Sequence, residues 1–316
     1  MSDPRIPVTL ITGFLGAGKS TLLNRLLRDP AFRGAAVLVN EFGAVGIDAA
    51  LVKGVDETVV TLATGCVCCA MRGEMITALR DLHFRRVKGE VPEFGRLAIE
   101  TTGVADPGPI VATLLRDPVV AAAYRLDGIV AVVDGEHGDV QLDDHAEARA
   151  QAAIADRLLI SKTDRAAPEA IAALAARLAA INPLADVWPM TMGDAPAAAI
   201  LGAFDAARPR SAPAASGHRD GILTRDVFLP GGESADAVAR RIALFLALSG
   251  GRILRLKAIA RCDDGALWAF HGVRHVAYPA VEIEDCPGDM ENRAVLISET
   301  EPDGLELLTT PASAAV

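Results

Sequence analysis

The stretch Gly13-Phe-Leu-Gly-Ala-Gly-Lys19-Ser20 has the spacing G-x-x-x-x-G-K-[ST], which cradles nucleotide phosphates. Gly13, Gly16 and Gly18 let backbone N–H groups curl around phosphate oxygens, and the helix expected to open at Ser20 adds partial positive charge. Lys19 is expected to reach the β- and γ-phosphates and the Ser20 hydroxyl to ligate Mg²⁺. Ala17 and Thr21 complete the expected nucleotide-binding residues.

Two further strand ends carry matching chemistry. Ser161-Lys-Thr-Asp164 follows an apolar run in the place where GTPases put N/T-K-x-D. A carboxylate at Asp164 accepts from the N1–H and 2-amino group of guanine, a donor pair adenine lacks, while Lys162 lays its stem along the base. Glu100-Thr-Thr-Gly103 supplies an acidic residue for Mg²⁺ or water positioning and a glycine, Gly103, whose N–H senses the γ-phosphate. The bland readings are capped strand-to-helix turns at both places.

Gly65-Cys66-Val-Cys68-Cys69 is not needed by a generic nucleotide hydrolase. Thiolates select soft ions such as Zn²⁺, Cu⁺ or cobalt. Three sulfurs within four residues do not readily surround one tetrahedral ion, so two are expected to bind, with Glu41 of Asn40-Glu-Phe-Gly43 as an oxygen ligand. Burial as small hydrophobes and a redox pair at Cys66 and Cys69 are the rival readings. His271 and His275 read as structural or surface residues. The acidic loop with His137, His145, Asp134, Asp139, Asp143 and Asp144 reads as a solvated face.

These groups need a scaffold that gathers strand ends. Val8–Thr12, Ala36–Val39, Leu97–Ile99, Gly128–Val133 and Arg157–Ile160 are short Val/Ile/Leu runs, as in parallel strands buried on both faces. Helix candidates lie between them at Ser20–Arg28, Arg72–Phe84, Pro109–Leu115, Ala146–Ala155 and Pro168–Ala180. The alternation predicts a doubly wound, mainly parallel α/β domain over residues 1–207. Residues 208–220 read as a linker and 221–308 as a smaller α+β domain. Its expected elements are a strand at Ile222–Phe228, a helix at Ser234–Ser249, and strands at Gly251–Ile259, Ala266–His271 and Arg293–Ser298. Residues 309–316 read as a flexible tail.

Composition narrows the partners. With 31 Lys+Arg against 41 Asp+Glu, a formal charge of −10, and only 4% aromatics, nucleic acid is not expected. No run long enough to span a membrane and no signal peptide are read from the chain. Five cysteines, three of them clustered, fit a reducing cytoplasm.

The combination of phosphate loop and C-x-C-C resembles the CobW-type GTPases, a zinc metallochaperone branch of the SIMIBI phosphate-loop class. The resemblance rests on Gly13–Ser20, Asn40–Gly43, Gly65–Cys69, Glu100–Pro107, Val132–Asp134 and Ser161–Asp164, with Arg252–Lys257 and His271-Gly-Val similar to the family's small C-terminal domain. It implies hydrolysis of GTP with Mg²⁺, coupled to transfer of Zn²⁺, or of cobalt in some relatives, to the apo-form of a client metalloprotein. Self-association as a homodimer is left open. Ser161 stands where the family usually has Asn, and Ala44 where many relatives carry a second Glu. The rival functions are a phosphate-loop small-molecule kinase and a thiol-redox regulatory NTPase.

Overall fold

A computed structural model describes residues 3–39, 70–203, 217–249, 251–286 and 290–310. The chain divides into two compact units, one from residues 1–176 and 187–204, the other from 177–186 and 205–316.

The first unit is a six-stranded sheet in the order β2-β3-β1-β4-β5-β6. Its strands are β1 (Ile6–Thr12), β2 (Ala35–Val39), β3 (Arg96–Glu100), β4 (Tyr124–Asp134), β5 (Arg157–Ser161) and β6 (Asp186–Pro189). The pairings β2/β3, β3/β1, β1/β4 and β4/β5 are all parallel. The helices are α1 (Lys19–Leu26), α2 (Ala70–Val87), α3 (Gly108–Arg116), α4 (Pro118–Ala123), α5 (Gly138–Asp144), α6 (Ala146–Ile154) and α7 (Pro168–Ile181). Consecutive residues of β1, β4 and β5 are buried, so both sheet faces are covered, as the continuous apolar runs predict. One face packs Ile11, Val37, Val130, Val132 and Leu159 against Leu22, Leu23 and Leu26 of α1.

Four elements of this unit depart from the sequence-based expectation, the first being β6, a strand that the apolar runs do not announce. β4 begins at Tyr124, four residues before Gly128, because the register against β1 slips between Val8 and Thr9 and accommodates Asp127. A bulge of this kind lets a poor strand former sit inside a strand. The Asp127 carboxylate accepts from Arg96 Nη1 at 2.5 Å and from Gly202 N at 3.1 Å. The short helix α4 starts where the Asp117 carboxylate caps Val119 N and Val120 N, with Pro118 in its first turn. The acidic stretch after β4 forms α5 instead of a loop.

The second unit holds an antiparallel sheet in the order β11-β10-β9-β13-β8-β7, with β12 paired to β10. Its strands are β7 (Gly217–Arg219), β8 (Ile222–Phe228), β9 (Ile253–Arg261), β10 (Leu267–Val273), β11 (Val276–Ala277), β12 (Val281–Ile283) and β13 (Arg293–Ser298). β7 lies within the stretch expected to be linker. Helix α8 (Ala235–Leu248) is capped by Ser234 Oγ and sets Val238, Ile242, Phe245 and Leu246 against Leu256, Ala258, Phe270 and Leu296. Intervening positions on β9 and β10 carry Arg255, Lys257 and His271, all buried. A last short helix, α9, spans Glu306–Thr309. None of the described helices is long and apolar enough to cross a membrane.

Candidate functional site

The parallel strands of the first unit bring their C-terminal ends to one edge, where the residues singled out by spacing converge. β1 ends at Thr12, and the glycine-rich loop runs directly into α1. Gly13 adopts φ +138°, and a Cβ there would sit 2.2 Å from the Val132 carbonyl oxygen of β4. No other residue fits that approach. Gly18 caps α1 in the left-handed conformation at φ 97°. Lys19 is buried, and its Nζ donates to the carbonyls of Gly13 at 2.8 Å and Phe14 at 3.1 Å. The ammonium therefore lies over the start of the loop that its own helix terminates.

Ser20 and Glu100 meet although eighty residues separate them. Ser20 Oγ donates to Glu100 Oε1 at 2.8 Å, because β3 lies beside β1 and ends level with the loop. The next residue, Thr101, donates from Oγ1 to Thr12 Oγ1 at 3.0 Å and pins the two strand ends together. Gly103 follows so closely that a Cβ on it would lie 2.7 Å from Leu15 N and 2.8 Å from Leu15 Cα. The hydroxyl and carboxylate are hard oxygen donors of the kind Mg²⁺ takes.

On the other side of the loop, β5 ends at Ser161. Its buried hydroxyl donates to Ala17 O at 2.6 Å, so the residue standing in place of Asn ties β5 to the phosphate loop. Lys162 takes a left-handed backbone at φ 52° and donates from Nζ to Asp134 Oδ2 at 2.5 Å. Asp134 is 2% exposed, and its Oδ1 accepts from Glu136 N at 2.9 Å and His137 N at 3.2 Å. Burial pushes the Asp134 carboxyl up, but Lys162 and the two backbone N–H groups outweigh it and hold the group below the usual carboxylate range. Thr163 Oγ1 lies 2.6 Å from Thr191 Oγ1, joining this turn to the end of β6. Asp164 is exposed.

The remaining predicted residues fall elsewhere. Glu41, Cys66, Cys68 and Cys69 lie outside the described residues. Among the described residues, one group has metal-ligand character, Asp134, Glu136 and His137, and Lys162 already occupies its buried carboxylate. His271 is buried on β10, and burial, followed by Lys257 and Arg255, pushes its imidazole well below 6.5, so it sits neutral in the sheet. That is the structural role expected of it. Phe14 of the phosphate loop stacks on the His145 ring at 4.4 Å, a contact that spacing gave no reason to expect. Nor did spacing point to Gln151, a buried amide on an alanine-rich helix that reaches the Gly103 turn.

The profile described as CobW/HypB/UreG, nucleotide-binding domain, matches residues 7–189. Among curated proteins, the chain is similar to the zinc chaperone YjiA of Escherichia coli, 46% identical over 189 residues that make up 60% of this chain and 58% of YjiA. It is also similar to zinc-regulated GTPase metalloprotein activator 1 of Schizosaccharomyces pombe, 38% identical over 60% of this chain and 47% of the other. The matched stretch thus spans about half the length of these curated relatives. Over the whole fold, the chain resembles a crystal structure of Zn(II)-bound YjiA GTPase from E. coli, with a TM-score of 0.69, 31% identity and 97% of each chain covered.

Proposed function

The chain belongs to the CobW/HypB/UreG family, and from that premise we propose that it hydrolyses GTP and uses the cycle to carry Zn²⁺, or a similar ion such as cobalt, to a client metalloprotein. The observation that carries the nucleotide half is the Ser20–Glu100 hydrogen bond at the mouth of the glycine loop. A hydroxyl and a carboxylate from two strands meet where the terminal phosphates of a nucleotide would be neutralised. Ser20 and Glu100 would hold Mg²⁺ there, and the ion would supply positive charge against the terminal phosphates. Lys19, already folded over the loop, turns its ammonium from carbonyl oxygens to phosphate oxygens, a stronger charge-assisted contact. Glu100 orients the attacking water, and the Gly103 N–H reads the γ-phosphate.

Guanine is read by Asp164, whose exposed carboxylate is available to the base, with Lys162 fixed beside it by Asp134. The cargo half rests on the relatives named as zinc chaperones and on the soft donors Cys66, Cys68 and Cys69, with Glu41 as an oxygen ligand. In this reading the nucleotide state sets how firmly the metal is held, and loss of the γ-phosphate biases metal release. Metal and GTP then change each other's affinity by the same factor.

Phosphate release from GTP and ATP, measured with metal content in the native chain and a Cys66/Cys68/Cys69→Ala variant, tests both halves. The expected result is GTP-selective turnover, with zinc lost from a folded variant. Phosphate transferred to a small acceptor would make the protein a kinase, and unchanged zinc in the variant would end the carrier reading. Equal metal affinity with GTP and GDP bound would sink the coupling.

A further inference from the structure

Gln151 sits on α6 and is 2% exposed. Around it on the same helix are Ala148, Ala152, Ala153 and Ile154, all buried. An amide in such surroundings is costly unless hydrogen-bonded, and apolar residues would serve the packing better. Both donations of its Nε2 go to one place, Gly103 O at 3.2 Å and Ala105 O at 3.0 Å. These carbonyls belong to the turn closed by Ala105 N donating to Thr102 O at 3.1 Å. Its Oε1 is buried and accepts no hydrogen bond among the described residues. The residue is thus kept for its donors, with an acceptor left unsatisfied.

The Gly103 carbonyl is thus held by Gln151, and the Leu15 backbone leaves no room for a side chain at this residue. A peptide unit is planar and trans, so turning the Gly103 carbonyl toward Gln151 turns the Val104 N–H the opposite way. A side chain on α6 therefore sets the direction of backbone donors in the turn. We propose that Gln151 is the positioning residue of the Gly103 turn, holding its peptide planes for the terminal phosphate and so setting the preference for triphosphate over diphosphate. This rests on the nucleotide reading above. Glutamate at this position would present a carboxylate to two carbonyls, and methionine would fill the space with no donor at all.

The test uses full-length Gln151→Met and Gln151→Glu, with affinities for GDP and a non-hydrolysable GTP analogue measured beside melting temperature. Losing two donations to the turn should weaken the analogue about tenfold in the Met variant, with GDP held within about twofold. The Glu variant should lose more at about pH 8 and regain part as pH falls, because a protonated carboxyl donates one hydrogen bond. Equal weakening of both nucleotides would overturn the proposal, as would an unchanged affinity ratio in a variant that merely melts earlier. A wild-type chain that binds no GTP would strike the nucleotide reading instead.

Discussion

Both units bury charged side chains, but at different places on their sheets. In the first, Glu100 and Asp134 stand at the C-terminal ends of parallel strands and Lys19 just beyond another, bonded to groups from neighbouring loops. In the second, Arg255 and Lys257 sit along β9, with His271 opposite Lys257 on β10. Parallel strands all end at one edge, so residues around 20, 100, 134 and 162 meet despite their separation in sequence. Antiparallel strands end alternately at both edges, and no single edge collects their loops. The contrast teaches that topology concentrates reactive groups in the first unit, whereas in the second it distributes charge along a sheet.

Lys19→Ala should sharpen this contrast most. GTP turnover is expected to fall by about 10²–10³-fold, the loss typical of removing one preorganised donor from a developing charge. Circular dichroism should stay native, and a mild loss measured by phosphate release would break the contrast. Next come two glycines, one from each unit. Gly13→Ala drives a Cβ into the fixed Val132 carbonyl at positive φ and should cost about 2–3 kcal/mol. Gly272→Ala meets the Leu246 side chain, which can rotate away, and should cost about 1 kcal/mol. Urea denaturation separates these values, and equal costs would break the contrast between a backbone neighbour that cannot move and a side chain that can. Ser161→Ala removes the tie to Ala17 O and should lower stability by about 1 kcal/mol in the same assay.

Acid titration gives the smallest effect and two distinct windows. Asp134 has a depressed folded pKa, so its contribution is complete above the unfolded carboxylate value near 3.8 and disappears as pH falls through the folded one. His271 is also depressed, below 6.5, so the unfolded chain takes up a proton there that the folded chain refuses. Stability should thus begin to fall below pH 6.5 through His271, by no more than about 0.7 kcal/mol over half a pH unit. His271→Gln should flatten that window in denaturation curves and leave the Asp134 window intact.

The apolar runs made the parallel sheet legible because strands buried on both faces read as Val, Ile and Leu without polar interruption. The phosphate loop was legible because few other reasons place three glycines, a lysine and a serine at that spacing. β4 was read short because Asp127 and Gly128, a bulge residue and a glycine at φ 145°, look like a turn in sequence. α5 was hidden by its acids, which are exposed and say nothing of periodicity. Ser161 read only as a departure from Asn; its hydroxyl's tie to the loop joins a partner 144 residues away that no local pattern reveals. Gln151 was invisible for the same reason.

The crowding of Gly13 against Val132 closes one mutational route. A change in nucleotide handling cannot begin by substituting that position, since any side chain must first displace the longest strand of the parallel sheet. Retuning by selection or by design is left to the far rim, where Thr163 and Thr191 share a hydroxyl contact and Met192 lies 73% exposed. The loop is thereby locked by its own packing, and the rim is where side chains can change without moving a strand.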